Sequence, residues 1–114
     1  PQFGDRREYQ LDVRSRKSAI SSSIAYANEG ADLLMVKPGL TSIDLISEIR
    51  QITKKSVGAY HVSGEFASLK ILDKSKLINF DKATSEVWDT FKRAGAQYII
   101  SYAARHAKRI YFNG

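Results

Sequence analysis

The chain has no cysteine among its 114 residues and no long hydrophobic run. Without cysteine it can form neither a disulfide framework nor a thiolate metal site. A helix that crosses a bilayer needs roughly 20 apolar residues, and no run here approaches that length, so we predict no membrane partner. Residues 1–5 include no initiator methionine and no signal-peptide pattern, and we therefore expect a segment cut from a longer protein.

Positive charge is in excess, but it is scattered along the chain. The formal net charge is +6, which would permit binding to nucleic acid or to an anionic surface. The lysines and arginines lie mostly where predicted helices end or loops begin, and cations near a helix C-terminus complement its dipole. Solvated helix ends explain this pattern, so we predict no nucleic-acid partner. The hydrophobic content of 43% is that of one globular domain.

Three short apolar runs predict β-strands, from Leu33 to Val36, from Val57 to Val62 and from Tyr98 to Tyr102. Short apolar runs between turn signals are typical of strands buried on both faces, as in parallel sheets. Segments with apolar residues at helical spacing separate these runs. Strands that alternate with helices in this way indicate parallel βα units joined by right-handed crossovers.

Helices are predicted from apolar spacing, caps and stops, whereas residues 1–16 show no period and are predicted to be a loop. The predicted helices run from Lys17 to Asn28 with a stop at Gly30, from a cap at Thr41 or Ser42 to Lys54 and Lys55, through Phe66 and Leu69, from a cap at Asp81 to a stop at Gly95, and from Ala103 to Phe112. Segments 29–32 and 93–97 share one sequence pattern, in which a glycine ends a helix just before a buried strand.

Three βα units are too few to close a barrel of eight strands, which needs about 250 residues. We therefore predict an α/β fold that consists of the C-terminal βα units of a (β/α)8 TIM barrel. In this interpretation residues 1–16 are a loop, residues 17–114 are the last three units, and there is no second domain. An open doubly wound sheet is the competing architecture.

Lys37 directly follows the first predicted strand, where Pro38 and Gly39 end the regular structure. Partial loss of hydration at a strand end favours the neutral amine, which is the form that attacks carbonyls. A lysine that extends into solvent is the ordinary alternative. In a barrel, functional side chains converge from several strand ends. The other strand ends supply hydroxyls that could hold a carboxylate, at Tyr60, Ser63, Ser101 and Tyr102.

Four longer segments carry a more specific pattern. They are GDRREYQLD at 4–12, EGADLLMVKPG at 29–39, YHVSGEFA at 60–67 and KRAGA at 92–96. In this order and spacing they resemble the porphobilinogen synthase family, also called 5-aminolevulinate dehydratase, over nearly the whole chain. Several long motifs with consistent spacing are far more specific than any one short motif.

The resemblance implies a TIM-barrel enzyme of tetrapyrrole and haem biosynthesis, a lyase that condenses two molecules of 5-aminolevulinate into porphobilinogen with loss of water. By similarity, Lys37 forms a Schiff base with the ketone of the first-bound substrate. Ser63 and Tyr102 would hold the carboxylate of that substrate, and Tyr60 would pack against it. Hydroxyls suit this role because they donate to a carboxylate without adding net charge.

Residues 1–16 resemble the lid over the family's active site. By similarity, Arg6 and Gln10 in this lid loop would bind the carboxylate of the second substrate. Arginine suits that role because its guanidinium is a fixed fork that matches a carboxylate.

The resemblance also implies parts that this chain does not contain. The family uses a second Schiff-base lysine and an active-site metal, zinc or magnesium, whose ligands lie before this region. We therefore expect the isolated chain not to turn over substrate. Some members bind an allosteric magnesium through a Glu in the helix before the lysine strand, where this chain has Ser22. The expected assembly is a homo-oligomer, an octamer by resemblance, located in the cytoplasm or in the plastid of a plastid-bearing organism.

Two other hypotheses stay open. The chain could be a non-catalytic remnant whose exposed barrel edge associates with partner subunits, or part of a different aldolase-like barrel that also uses a strand-end lysine. Arg7, His61 and Glu65 match the family motifs without an independent chemical argument, and we predict structural roles for them.

Overall fold

Three parallel strands form the sheet. The structure is a computed structural model that describes residues 15–112. Strands β1 (Leu33–Val36), β2 (Ser56–His61) and β3 (Tyr98–Ser101) lie side by side in the order β1-β2-β3. Both pairs are parallel. The predicted strands and their parallel arrangement are confirmed, with ends that differ from the prediction by one residue.

Helices precede, connect and follow the strands within the described residues. They are α1 (Arg16–Asn28), α2 (Ile46–Thr53), α3 (Ser63–Lys74), α4 (Phe80–Arg93) and α5 (Ala107–Phe112), with short 3₁₀ helices at Leu40–Leu45 and Ala104–His106. In this part of the chain no helix is both long enough and apolar enough to cross a membrane.

The predicted repeat of glycine stops is confirmed. Gly30 after α1 and Gly95 after α4 have φ values of 105° and 109°, a conformation that costs glycine little because it has no Cβ. The same two backbone hydrogen bonds close each helix end. The amides of Gly30 and Ala31 donate to the carbonyls of Ala27 and Tyr26 at 3.1 Å, and the amides of Gly95 and Ala96 donate to the carbonyls of Lys92 and Phe91 at 3.0 Å. This is a Schellman motif, and it turns the chain from each helix toward the following strand.

The start of α4 differs from the prediction by two residues. Asn79, not Asp81, caps the helix, because Asn79 Oδ1 accepts the amide hydrogen of Lys82 at 2.9 Å. Asp81 lies in the first turn and accepts two hydrogen bonds from Arg109 of α5, both at 2.9 Å. The carboxylate therefore joins two helices.

The segment between β1 and α2 also differs from the prediction. A 3₁₀ helix already begins at Leu40, without a side-chain cap, so neither Thr41 nor Ser42 caps a helix. Helix α1 begins at Arg16, one residue before the predicted start. The Arg16 guanidinium binds Asp44, at 2.7 Å, and Glu48, which ties α1 to the 3₁₀ helix and to α2.

The helices cover one face of the sheet, and the other face is open. The core on the covered face consists mainly of Leu34, Val36, Val57 and Ala59 from the strands and of Ile46, Ile49, Trp88 and Phe91 from α2 and α4. On the open face Leu33 is 61% exposed and Met35 is 40% exposed. The prediction that this first strand is buried on both faces is therefore wrong for the described residues, because they cover only one side of a strand whose side chains alternate.

Tyr98 crosses the open face above Gly58. Gly58 lies between Met35 and Tyr98 in the register of the three strands. The Tyr98 hydroxyl donates a hydrogen bond to the backbone oxygen of Leu34, so this side chain passes over β2 and joins β3 to β1. A Cβ on Gly58 would lie 2.3 Å from the Tyr98 ring, which is too close for any side chain.

We expect Gly58→Ala to lower the free energy of unfolding by about 1–3 kcal/mol, because the added methyl group displaces the Tyr98 ring and its hydrogen bond. Urea unfolding of the full-length protein would measure this change. The matched control is Gly64→Ala in α3, where a Cβ meets nothing within 4 Å. Alanine replaces glycine favourably in a helix, so the control should lose no stability. Equal midpoints for both variants would contradict the expectation.

Candidate active site

The C-terminal ends of the three strands lie at one edge of the sheet. In the parallel register Val36 lies opposite Ala59, and His61 lies opposite Ser101. Lys37 continues β1 past this edge and Tyr102 continues β3, while Tyr60 is the second-last residue of β2. The predicted convergence of these strand ends is therefore present in the structure.

Lys37, Tyr60 and Tyr102 lie close together on the open face. Lys37 Nζ is 5.3 Å from the centroid of the Tyr60 ring, a distance at which a cation is attracted to a ring face. Hydrogen bonding to Tyr60 raises the pKa of Tyr102, whereas the Lys37 ammonium acts in the opposite direction. Near neutral pH the Tyr102 hydroxyl is protonated, as that of an ordinary tyrosine is, so it can serve as a hydrogen-bond donor.

Lys37 is exposed in the structure. The loss of hydration expected from the sequence is therefore not provided by the described residues, which leave the open face uncovered. Lys37 therefore follows β1, as the sequence predicts, but without the expected loss of hydration among the described residues.

Ser63 and Tyr102 are connected through α3. Ser63 is the first residue of α3 and is exposed at its N-terminus. One turn later Phe66 packs against Tyr102, with ring centroids 5.8 Å apart and planes inclined at 43°. The N-terminus of a helix has amide groups without intrahelical partners and carries partial positive charge. A hydroxyl and a helix end that attract anions thus lie on the element that contacts Tyr102.

Ser101 is separated from the other predicted hydroxyls. Its Oγ lies 3.0 Å from Nδ1 of His61 and accepts the amide hydrogen of Ala103 at 3.0 Å. Successive residues of a strand face opposite sides of the sheet, so Ser101 faces the helices while Tyr102 faces the open side. The Ser101 hydroxyl is therefore engaged in internal bonds.

His61 has the environment of a structural residue. Its side chain is fully buried, and the edge of its ring faces Phe91 with centroids 6.2 Å apart. Burial lowers the pKa of His61, so the imidazole is neutral near pH 7. Its contact with Ser101 braces the end of β2 against the end of β3.

The turn that follows Lys37 is tightly packed. The amide of Gly39 donates to the backbone oxygen of Tyr60 at 2.8 Å. A Cβ on Gly39 would lie 2.6 Å from the ring of Phe91 and 2.8 Å from that same oxygen. Only glycine fits between α4 and β2 at this point, which fixes the path of the chain just beyond the lysine.

Glu65 is a residue at this site whose contact the sequence reasoning missed. It lies in the first turn of α3, as a helix-start residue should, but its Oε2 accepts the amide hydrogen of Leu40 at 3.0 Å. The two residues are 25 positions apart. A helix-start glutamate has a local sequence signal, whereas a contact at this separation has none.

Arg6 and Gln10, predicted to bind the second substrate, lie outside the described residues, as does Arg7. Residues 15–112 contain no group of three or more histidine, cysteine, aspartate or glutamate side chains that could hold a metal ion. The described residues therefore do not fit the zinc or magnesium site that the resemblance implies, and the predicted ligands of that site precede this region.

Comparison with known proteins gives one family. The model of the family described as delta-aminolevulinic acid dehydratase matches residues 1–110. The chain is 46% identical over 110 residues to the protein of that name from Helicobacter pylori, covering 96% of this chain and 33% of the relative. It is 42% identical over 101 residues to the Escherichia coli protein, covering 89% of this chain and 31% of the relative. The chain thus spans about a third of the length of these relatives.

A solved structure supports the same grouping. It is the Toxoplasma gondii delta-aminolevulinic acid dehydratase (porphobilinogen synthase) in complex with its reaction product porphobilinogen. The TM-score is 0.86 at 40% sequence identity, and the match covers 93% of this chain and 30% of that one. The predicted fold, part of a (β/α)8 barrel, is confirmed by this likeness.

His61 should make the protein less stable in acid. Its pKa is lowered in the folded state, and that of an unfolded histidine is about 6.5. As the pH falls below about 6.5 the unfolded state therefore binds more protons, and stability falls by at most about 1.4 kcal/mol per pH unit until the folded pKa is passed. Urea unfolding between pH 7.5 and pH 5 should show a smaller loss for His61→Gln than for the parent protein.

The other histidine of the chain, His106, must be removed from this comparison because its pKa is also lowered, first by burial and then by neighbouring cations. Both proteins should therefore carry His106→Gln. Identical pH dependence with and without His61 would show that the imidazole has the same pKa in the folded and unfolded states.

Proposed function

The chain belongs to the delta-aminolevulinic acid dehydratase family, and on that premise we propose that it supplies the C-terminal part of the active site of a porphobilinogen synthase. The complete enzyme condenses two molecules of 5-aminolevulinate into porphobilinogen with loss of water. The observation that carries this function is the cluster of Lys37, Tyr60 and Tyr102 at one edge of the open sheet face. The chain alone, which spans about a third of its relatives, is inactive.

Lys37 is the nucleophile of the first step. Its neutral amine attacks the ketone carbon of the first 5-aminolevulinate, and a carbon–nitrogen bond forms. Proton transfer to the carbonyl oxygen lets that oxygen leave as water, which gives the Schiff base. The Tyr60 ring, 5.3 Å from Nζ, lines the place that the bound substrate occupies. The rest of the barrel covers the open face and so excludes water from Lys37, which is exposed in this chain.

Ser63 and Tyr102 bind the carboxylate of the first substrate. The Tyr102 hydroxyl is protonated near neutral pH, as in an ordinary tyrosine, so it donates to the carboxylate. Ser63 donates from the first residue of α3, where the helix end also favours negative charge. Phe66 holds the Tyr102 ring against the same helix. Two neutral donors and a helix end therefore bind the anion without placing a second cation beside Lys37.

The remaining parts of the site come from outside the described residues. Arg6 and Gln10 bind the carboxylate of the second substrate, and a second Schiff-base lysine and the ligands of a zinc or magnesium ion precede this chain. The complete protein is a homo-oligomer, an octamer by resemblance, of the cytoplasm or of a plastid.

A second candidate role is favoured by the open face of the sheet. Leu33, Met35 and Ile100 are exposed there, and β1 and β3 have unpaired outer edges within the described sheet. A non-catalytic remnant that associates with partner subunits would use the same surface. Reading the codons that precede Pro1 separates the two roles, because only the enzyme requires an upstream strand with a second lysine.

We expect borohydride to trap 5-aminolevulinate on Lys37 of the full-length protein, since borohydride reduces a Schiff base to a stable amine. Peptide mapping by mass spectrometry would locate the label. Lys37→Arg should remove it and lower kcat by at least about a thousandfold, because arginine is not a nucleophile at neutral pH. The matched control is Lys55→Arg, which precedes β2 at the opposite edge of the sheet.

An unlabelled Lys37 would count against the proposed function. Protection of Lys37 by sugar phosphates rather than by 5-aminolevulinate would instead favour an aldolase-like barrel.

We expect Ser63→Ala and Tyr102→Phe each to raise KM for 5-aminolevulinate by about tenfold or more, because each removes a hydrogen bond to a charged group. Steady-state kinetics of the full-length protein would measure this effect. Ser85→Ala in α4 and Tyr111→Phe in α5 are matched controls, since their hydroxyls bond to Lys82 and Asp89 away from the site. An unchanged KM in Ser63→Ala or Tyr102→Phe would show that the replaced residue does not bind the substrate carboxylate.

A further inference from the structure

Glu65 accepts a hydrogen bond from the backbone amide of Leu40, which has no partner within its own 3₁₀ helix. Leu40 begins a 3₁₀ helix whose N-cap residue, Gly39, provides no side-chain cap. The first amides of a helix have no partner inside it. Oε2 of Glu65 accepts the Leu40 amide hydrogen at 3.0 Å and so replaces the missing cap from another helix.

The side chain of Glu65 is partly buried, and one of its two carboxylate oxygens is shielded from solvent. Burial raises the pKa of Glu65, while the backbone amides of Leu40 and Val62 lower it. Its Oε1 is buried and has no hydrogen-bond partner among the described residues. Burial of a carboxylate is unfavourable unless polar groups compensate it. A glutamate that served only the helix start could stay fully in solvent, whereas Glu65 is partly buried and binds the Leu40 amide, which indicates a role at the Leu40 turn.

The two segments that meet at Glu65 carry the proposed site residues. Leu40 lies three residues after Lys37, and Ser63 lies two residues before Glu65. The turn after Lys37 is also held by the Gly39 amide on the Tyr60 carbonyl at 2.8 Å. One bond thus fixes the turn to β2, and the Glu65 bond fixes it to α3.

We propose that Glu65 is a positioning residue that, by binding the Leu40 amide, holds the Lys37 turn against the start of α3 and so sets the separation of Lys37 and Ser63. This role rests on the proposed function of Lys37. Ser63 holds the substrate carboxylate while Lys37 attacks its ketone, so the separation of the two residues determines whether the amine reaches the carbonyl carbon. Displacement of a reacting group by about 1 Å can lower a rate about a hundredfold.

Two conservative variants separate the hydrogen bond from the charge. Glu65→Gln keeps the length of the side chain and an oxygen that accepts from Leu40, but it loses the charge. Glu65→Asp keeps the charge but is one methylene shorter, so its oxygens withdraw from the Leu40 amide. Positioning predicts that the Gln variant resembles the parent protein and that the Asp variant is defective.

The experiment uses the full-length protein and two readouts. The first is the rate at which borohydride traps 5-aminolevulinate on Lys37, together with kcat and KM. We expect Glu65→Asp to lower the trapping rate and kcat by roughly ten- to a hundredfold, with KM changed less than about threefold because Ser63 and Tyr102 are intact. Glu65→Gln should stay within about threefold of the parent protein. Glu86→Gln and Glu86→Asp, on the exposed side of α4, are matched controls.

The second readout is hydrogen–deuterium exchange of the Leu40 amide, which needs no substrate. Exchange should be faster in Glu65→Asp and unchanged in Glu65→Gln. Full trapping rates in the Asp variant, or a loss in the Gln variant, would overturn the positioning role. If Lys37 of the parent protein is not labelled at all, the proposed function fails and the positioning role fails with it, while exchange still shows whether Glu65 holds the turn.

Discussion

Parallel pairing in a fixed register is the constraint on which the candidate site depends. Because β1, β2 and β3 run in the same direction, their C-terminal ends share one edge. Because side chains alternate between the two faces, each strand end directs one residue to the open face and the next to the helices. Lys37, Tyr60 and Tyr102 meet for this reason. A shift of β3 by one residue would present Ser101 in place of Tyr102.

Much of this arrangement could be predicted from local patterns. The three strands are short apolar runs, and Gly30 and Gly95 mark helix stops that need a positive φ. The position of Lys37 follows from the run that ends at Val36. The family motifs added roles for individual residues, and the family itself is confirmed by the comparisons. What these features share is that each depends on a few consecutive residues.

The contacts that could not be predicted join distant parts of the chain. Asn79 and Asp81 are equally good caps by residue type, but Asn79 caps the helix and Asp81 instead binds Arg109, 28 residues later. The sequence predicts only that Glu65 is a helix-start residue, whereas the structure shows that it binds the Leu40 amide. Leu33 is predicted to be buried because its run is apolar, yet the described residues leave it exposed. In each case tertiary contacts, which no local pattern contains, decide the outcome.

The hydrogen bond of the Tyr98 hydroxyl affects how the strand ends are held relative to one another. By bonding to the Leu34 carbonyl it bridges the two outer strands above the glycine of the middle one. Axial slippage of β3 relative to β1 would have to break this hydrogen bond as well as the pairing of one of these strands with β2. This hydrogen bond, near the opposite end of the strands, therefore adds to the strand pairing in fixing the position of the Lys37 amine relative to the Tyr102 phenol along the strand axes.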